Sequence, residues 1–302
     1  MRGWILYSDS ANQLKPETYE IERLISVAKE QKIDLEVFRP EQFELIVTQD
    51  DRKSVLVDGK VLPLPDFLLP RMGAGTTYFA LAVIRHLERL GVKTFNSASS
   101  IDIVKDKLYT HQILAEHNFP VPKTMLAKYP IDVDLVESSI GFPIVIKTLS
   151  GSQGSGVFLV ESKSKFEDIM EFINATRSNA NIILQEFIES SKGRDLRVFT
   201  IGGRAVAAMK RTSQDGSFKA NFSRGGLVEP VELTPEMEWL ATETSRILNL
   251  DIAGIDLLFD GDHFKICEAN SSPGFEGIEQ ACNVNIAEEI YNFIRVRLGV
   301  FV

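Results

Sequence analysis

Cysteine is scarce in this chain of 302 residues, and the two present, Cys267 and Cys282, stand in no C-x-x-C spacing. With no secretory pattern in the opening residues, that scarcity argues against a disulfide framework or a zinc site and favours buried free thiols. Positive charge is short as well. Lys and Arg total 33 against 42 Asp and Glu, a formal net charge of -9. That balance argues against broad, sequence-independent nucleic-acid binding but leaves room for a local basic pocket. No apolar run approaches the ~20 residues of a membrane-spanning helix, so a cytoplasmic protein without a membrane partner is expected. Several catalytic signatures are missing too. No G-x-G-x-x-G turn follows the first strand, no P-loop ends in Gly-Lys-Ser/Thr, and no G-x-S-x-G elbow occurs. His86, His111, His117 and His263 show no ligand spacing and read as structural or exposed.

What is present alternates strands and helices, with no repeats and no low-complexity linker. Residues 3–7 read as an opening strand, 17–31 as a helix through Ile21, Leu24, Ile25 and Ala28, and 35–38 as a second strand. Asp58-Gly59 between Val55–Val57 and Val61-Leu62 is a hairpin signal, and Phe67–Leu69 reads as a buried strand. A helix over 76–90 stopped by Gly91, then a short strand at 93–95, complete an open α/β layer of about 95 residues. A helix over 101–117 follows, ended by Pro120 and Pro122, with strands at 143–149 and 156–160 and a helix over 164–176. Residues 181–188 read as a strand, and Val198–Ile201 with Ala205–Met209 as a hairpin around Gly202-Gly203. Thr234-Pro235 caps a helix to about Leu248, and an amphipathic helix over 285–298 carries Ile286, Ile290, Phe293 and Ile294.

Chemistry concentrates near the C-terminus. Ile252-Ala-Gly-Ile-Asp256, then Asp260-Gly-Asp262, then Ile266-Cys-Glu268-Ala-Asn270 read as strand, turn and strand. Asp256, Glu268 and Asn270 are oxygen ligands suited to magnesium, which phosphoryl-transfer sites hold with one or two carboxylates plus nucleotide phosphates. Strand alternation points Glu268 and Asn270 the same way. A two-residue turn alone would put Glu268 on the far face from Asp256, so a three-residue loop centred on Asp262, or an equivalent bulge, is expected.

Upstream, Ser150-Gly-Ser-Gln-Gly-Ser-Gly156 is a turn between strands whose backbone N–H groups can cradle phosphate oxygens. Lys147 precedes it on an otherwise apolar strand, where a lone cation is costly unless an anion such as phosphate accompanies it. Gln185-Glu-Phe-Ile188 can offer backbone groups to an adenine edge, with Asp195 further on for a ribose. Lys105-Asp-Lys107 lies in or at the start of a helix. Lys210, Arg211, Lys219 and Arg224 gather around glycines in an otherwise acidic chain, as neutralising phosphates and a substrate carboxylate requires.

In order and spacing these fragments resemble the ATP-grasp superfamily, and within it the RimK-like carboxylate–amine ligases, over nearly the whole chain. The resemblance is carried by Pro70-Arg-Met-Gly73, Asp106-Lys-Leu108, Lys147 with Gly151-Ser-Gln-Gly-Ser-Gly156, Gln185-Glu-Phe-Ile188 and Asp195-Leu-Arg197. Further along it includes Asn221 with Arg224-Gly-Gly226, Ala253-Gly-Ile-Asp256 and Glu268-Ala-Asn-Ser-Ser-Pro-Gly-Phe-Glu-Gly-Ile278.

The resemblance implies an α/β and α+β protein. An N-terminal α/β domain over 1–97 would precede two lobes gripping ATP, one over 98–187 with the glycine-rich loop and one over 188–302 with the metal site. Lys107 and Lys147 would contact the phosphates, and Gly151, Ser152, Gln153 and Gly154 would close over them. Gln185, Glu186, Phe187 and Ile188 would hold the adenine and Asp195 the ribose. Asp256, Glu268 and Asn270 would bind two magnesium ions, or manganese in their place, with Glu268 bridging. The reaction implied joins a carboxylate to an amino acid, most of all L-glutamate, through an acylphosphate with release of ADP. Arg211 and Asn221 are candidates for stabilising that intermediate, and Arg224 and Arg71 for gripping a substrate carboxylate. Two positions depart from the family pattern: Lys210 replaces an acidic residue and Lys219 an arginine. They bear on the inherited substrate, glutamate added to a ribosomal protein tail, and Lys210 adds positive charge near the expected acceptor site.

The acceptor is open among a protein C-terminus, a small dicarboxylate and a folate-like or flavin-like cofactor. The alternatives are ligation to the amino-group carrier protein of lysine or arginine biosynthesis, and a non-catalytic ATP-binding regulatory module. Apolar faces on the N-terminal helices fit either core packing or a homo-oligomer contact.

Overall fold

The computed structural model describes residues 1–7, 18–49, 54–149, 156–175, 181–214, 216–218, 220 and 226–300. The first part runs β1 (Arg2–Tyr7), α1 (Thr18–Glu30), β2 (Asp34–Phe38), β3 (Phe43–Leu45), β4 (Val55–Val57), β5 (Phe67–Arg71), α2 (Tyr78–Arg89) and β6 (Lys93–Thr94). A parallel sheet forms in the order β2-β1-β5-β6. β5 is buried along its whole length, its apolar Phe67–Pro70 run as expected of a strand covered on both faces and Arg71 with it. Gly3 lets it close in: a Cβ there would lie 2.1 Å from the Phe67 ring. The expected hairpin at Asp58-Gly59 shrinks to one bridge, Val57 with Lys60, and β4 pairs instead with β3. Pro63 and Pro65 have no N–H to extend a ladder beyond Lys60.

The next part comprises α3 (Ala98–Lys105), α4 (Lys107–Glu116), β7 (Thr124–Leu126), α5 (Val133–Ser139), β8 (Ile144–Thr148), β9 (Val157–Val160), α6 (Lys163–Ala175) and β10 (Ile182–Glu186). The single helix expected over 101–117 is two. Asp106 leaves the helical region at φ -89° and ψ 103°, ending α3, and its carboxylate accepts the Tyr109 N–H at 3.0 Å to cap α4. The strands form a small antiparallel sheet, β7-β10-β8-β9. Ile144, Ile146, Ile182 and Leu184 from that sheet pack on Phe166 and Met170 of α6.

The last part holds β11 (Arg194–Ile201), β12 (Arg204–Thr212), β13 (Leu227–Pro230), α7 (Pro235–Ile247), β14 (Ile252–Asp260), β15 (His263–Asn270), α8 (Glu276–Cys282) and α9 (Ile286–Leu298). Its antiparallel sheet runs β13-β12-β11-β14-β15. One face presents Leu196, Val198, Ala208, Ile255 and Leu257 to Leu240 and Ala241 of α7. On the other, Phe199, Met209 and Ile252 meet Ile286, Ile290 and Ile294 of α9 in a cluster that continues into Ile5, Leu24 and Phe67 of the first sheet. That shared core places the parallel sheet against the end of β15.

Candidate nucleotide and metal site

The β14–β15 hairpin turns through Gly261-Asp262, with Asp260 opposite His263 and Gly261 at φ 63°. A two-residue turn would leave Asp256 facing position 267. A bulge between Asp256 and Leu257 corrects this: Leu257 pairs with Ile266, Asp256 with Glu268 and Gly254 with Asn270. Cys267 is the extra residue. The bulge form of the expected register is therefore the one present, and it gathers Asp256, Glu268 and Asn270 on one face of two neighbouring strands.

Strand alternation brings two arginines to the same face. Arg197 on β11 lies opposite Asp256 and grips it with both arms of its guanidinium, Nε to Oδ1 at 2.7 Å and Nη2 to Oδ2 at 2.8 Å. Arg211 on β12 grips Asp195 in the same way at 2.6 and 2.8 Å and also reaches Asp256 Oδ2 at 3.0 Å. The four side chains form a buried chain, Asp195–Arg211–Asp256–Arg197, across three strands. Burial pushes the Asp256 carboxyl up, but Arg197 and Arg211 outweigh it and hold the group below the usual carboxylate range. Burial also disfavours the Arg211 charge, yet Asp195 and Asp256 keep that guanidinium firmly protonated. Removing one member of such a buried pair strands the other charge, at a cost of about 3–5 kcal/mol.

These contacts define how Asp256 can meet a metal. A carboxylate has about four lone-pair sites, and three N–H donors occupy two on Oδ2 and one on Oδ1. One position on Oδ1 remains, so Asp256 suits a cation as a single-oxygen ligand. Among the described residues no three His, Cys, Asp or Glu side chains cluster as a closed metal cage. Two carboxylates and one amide fit magnesium, which keeps much of its shell for water and phosphate.

The loop after Asn270 is fixed by the parallel-sheet part. Asn96 donates to the carbonyls of Ile252 and Ser271, each at 2.7 Å, and accepts from the Asp251 and Ile252 N–H groups. Arg71 donates to the Pro273 carbonyl at 2.8 Å and lies over the Phe275 ring. Glu20 accepts the N–H groups of Phe275 and Glu276 at 2.8 and 3.2 Å, supplying the start of α8 with the acceptor its own cap residue lacks. Gly254 permits the fit, since a Cβ there would sit 2.7 Å from Pro273.

Across from this face stands the small sheet. Lys147 on β8 is half-buried, with Nζ 3.7 Å from Cys267 Sγ, and Lys107 opens α4. Gln185 is buried on β10 and donates to Thr124 Oγ1 at 2.9 Å. The Glu186 carboxylate accepts the Lys123 N–H and Lys265 Nζ, both at 3.1 Å. Those two donors overcome burial and lower its pKa. Phe187 and buried Ile188 follow directly. Lys210 points to the face opposite Arg211 and pairs with Glu229 at 2.7 Å, so its charge is neutralised away from the ionic chain. Gly151, Ser152, Gln153, Gly154, Lys219, Asn221 and Arg224 lie outside the described residues.

Sequence reading gave no site role to Arg197, to Lys265, or to His111, whose ring nitrogen lies 3.0 Å from the Cys267 carbonyl. Arg197 carried a signal, standing two residues after Asp195 on one strand and so facing the same way. Lys265 and His111 carried none, because their partners are distant in the chain.

A five-stranded sheet bearing an ionic face, set against a smaller antiparallel sheet and preceded by a parallel one, is the arrangement of the ATP-grasp fold. Residues 104–294 match the RimK-like ATP-grasp domain and 13–101 the RimK PreATP-grasp domain. A protein named probable alpha-L-glutamate ligase in Legionella pneumophila is 38% identical over 281 residues, 92% of each chain. Among solved structures, the ATP-grasp ligase PsnB complexed with its minimal precursor superposes with a TM-score of 0.74 at 18% identity, covering 98% of this chain and 97% of that one. A RimK domain ATP-grasp protein from Sphaerobacter thermophilus gives 0.72 at 19%, covering 97% and 99%. This chain belongs to the RimK-like ATP-grasp family and is an ATP-dependent carboxylate–amine ligase. No helix among the described residues is long and apolar enough to cross a membrane.

Proposed function

We propose that the protein joins L-glutamate, through its amino group, to the carboxylate of an acceptor that is a peptide tail or a small acid. The glutamate part of this reading is supported by the name of the Legionella relative, and its ATP chemistry by the Asp256–Glu268 pairing beside Asn270 with the Asp195–Arg211–Asp256–Arg197 chain. In this reading the chain divides into lobes over 1–97, 98–187 and 188–302. Asp256, Glu268 and Asn270 hold magnesium, which when bound supplies positive charge against the nucleotide phosphates. Lys107, Lys147 and the 151–154 loop bind those phosphates, Gln185 to Ile188 the adenine, and Asp195 the ribose side. Because Asp195 is gripped by Arg211, its part toward the ribose is to share an oxygen already fixed in place.

An acceptor carboxylate oxygen attacks the γ-phosphorus, the bond to the β-phosphate oxygen breaks, and ADP leaves. The glutamate amine then attacks the acyl carbon of the acylphosphate, phosphate departs and the amine loses a proton, leaving an amide. Arg211, held rigidly by two carboxylates, and Asn221 stabilise the charge that builds on phosphate and acyl oxygen. Arg224 takes a substrate carboxylate, a task that suits a planar guanidinium. Phosphoryl transfer of this kind depends mainly on positioning and charge neutralisation.

Purified protein incubated with ATP, magnesium, glutamate and a panel of acceptors tests the reading. Glutamate-dependent ADP and phosphate, with a glutamyl mass gain on one acceptor, are expected. AMP and pyrophosphate would refute it.

A further inference from the structure

Where β15 takes its extra residue, the ladder with β14 loses a rung, and the carbonyl of the bulged Cys267 needs a donor from elsewhere. That donor is His111. Its ring, buried on α4, sets Nε2 3.0 Å from the Cys267 carbonyl oxygen. Since a carbonyl only accepts, Nε2 carries the proton and Nδ1 is the acceptor, facing Thr124 Oγ1 at 3.3 Å, whose one proton is shared with the Pro122 carbonyl at 3.0 Å. The same hydroxyl accepts from Gln185 Nε2 at 2.9 Å. Burial lowers the His111 pKa to about 4, so the ring stays neutral and this arrangement persists at pH 7. One imidazole thus touches the bulge beside Glu268 and, through one hydroxyl, the strand that begins the nucleotide segment.

We propose that His111 is a positioning residue: its Nε2–H holds the Cys267 carbonyl in the bulge that turns Glu268 toward Asp256, and Thr124 ties that bulge to Gln185. The inference rests on the reading of Asp256, Glu268 and Asn270 as the metal-holding set. An apolar side chain at 111 would fill the space but leave the carbonyl without a donor. A glutamine would restore one, because its amide nitrogen reaches about as far from the backbone as imidazole Nε2.

The test uses the full chain with Mn²⁺ as probe, read by electron paramagnetic resonance in the presence of ADP, so no turnover is needed. His111→Leu is expected to weaken Mn²⁺ binding about ten-fold or more, the range found when a metal site loses an outer support. His111→Gln is expected to recover to within about three-fold of the unsubstituted protein. ADP binding in EDTA should change by less than about three-fold in both, which separates loss of metal geometry from general damage. If His111→Leu does not fold, Thr124→Val carries the test, with a weakening of about three-fold expected. Mn²⁺ binding to His111→Leu, or to Thr124→Val in its place, as tight as to the unsubstituted protein would overturn the proposal. Absence of nucleotide-dependent Mn²⁺ binding in the unsubstituted protein would instead remove the metal reading beneath it.

Discussion

Two ends of one sheet face carry opposite chemistry. At one end Phe199, Met209 and Ile252 are buried under Ile286, Ile290 and Ile294. One strand repeat further along, Arg197 replaces Phe199, Arg211 replaces Met209, and Gly254 then Asp256 follow Ile252. The backbone ladder runs unbroken between the two ends of β11 and β14, so the difference lies in the side chains and in what covers them. α9 seals the apolar end, whereas the ionic end faces the small sheet that brings Lys147 within reach of Cys267. The comparison teaches that the fold anchors its site by continuing the same strands out of a tightly packed core. Rigidity comes from the apolar end and charge placement from the ionic end.

Substitutions should separate the two. Ile290→Ala, at a position fully buried on α9, is expected to cost about 2–5 kcal/mol of stability through lost burial and the cavity left behind. Turnover per folded molecule should stay close to normal, checked by chemical unfolding beside activity at low temperature. Glu268→Gln should do the reverse, lowering kcat by about 10²–10³-fold, the range for losing one preorganised electrostatic group. Its thermal midpoint should shift by no more than about 2 °C, since Glu268 is only partly buried at the sheet edge.

A smaller effect sharpens the boundary between the first part and the core. Tyr19 donates to Glu279 at 2.7 Å, and burial together with that carboxylate raises its pKa to about 12. A pKa raised on folding stabilises fully below the unfolded value, near 10, and the gain is lost as pH climbs toward the folded value. The unsubstituted protein should therefore lose more thermal stability than Tyr19→Phe between pH 10 and 12, and the two should run parallel from pH 7 to 9.

Much of this was legible in the chain itself. The apolar spacing of Ile286, Ile290 and Ile294 marked α9, and Thr234-Pro235 marked the start of α7. The grouping of Asp256, Glu268 and Asn270 was readable from type and spacing, and the bulge that brings them to one face followed conditionally from counting the turn. Other features were hidden for definite reasons. The apolar periodicity of 101–117 continues through Asp106, so the pattern left open whether Lys105-Asp-Lys107 lay inside one helix or, as the structure has it, at the start of a new one. β7, β13 and α5 are too short to develop a period. The expected ribose role of Asp195 did not anticipate its grip by Arg211, which depends on the register of β11 against β12. Glu20 at the start of α8 joins residues 255 positions apart, and no local signal reports such a contact.

The most direct measurement follows an oxygen atom. An acceptor labelled with ¹⁸O in its carboxylate, incubated with the protein, ATP, magnesium and glutamate, should pass one labelled oxygen to the released phosphate. Label in that phosphate, together with ADP, is what ligation through an acylphosphate requires. Unlabelled phosphate alongside a correctly formed glutamyl product would contradict it.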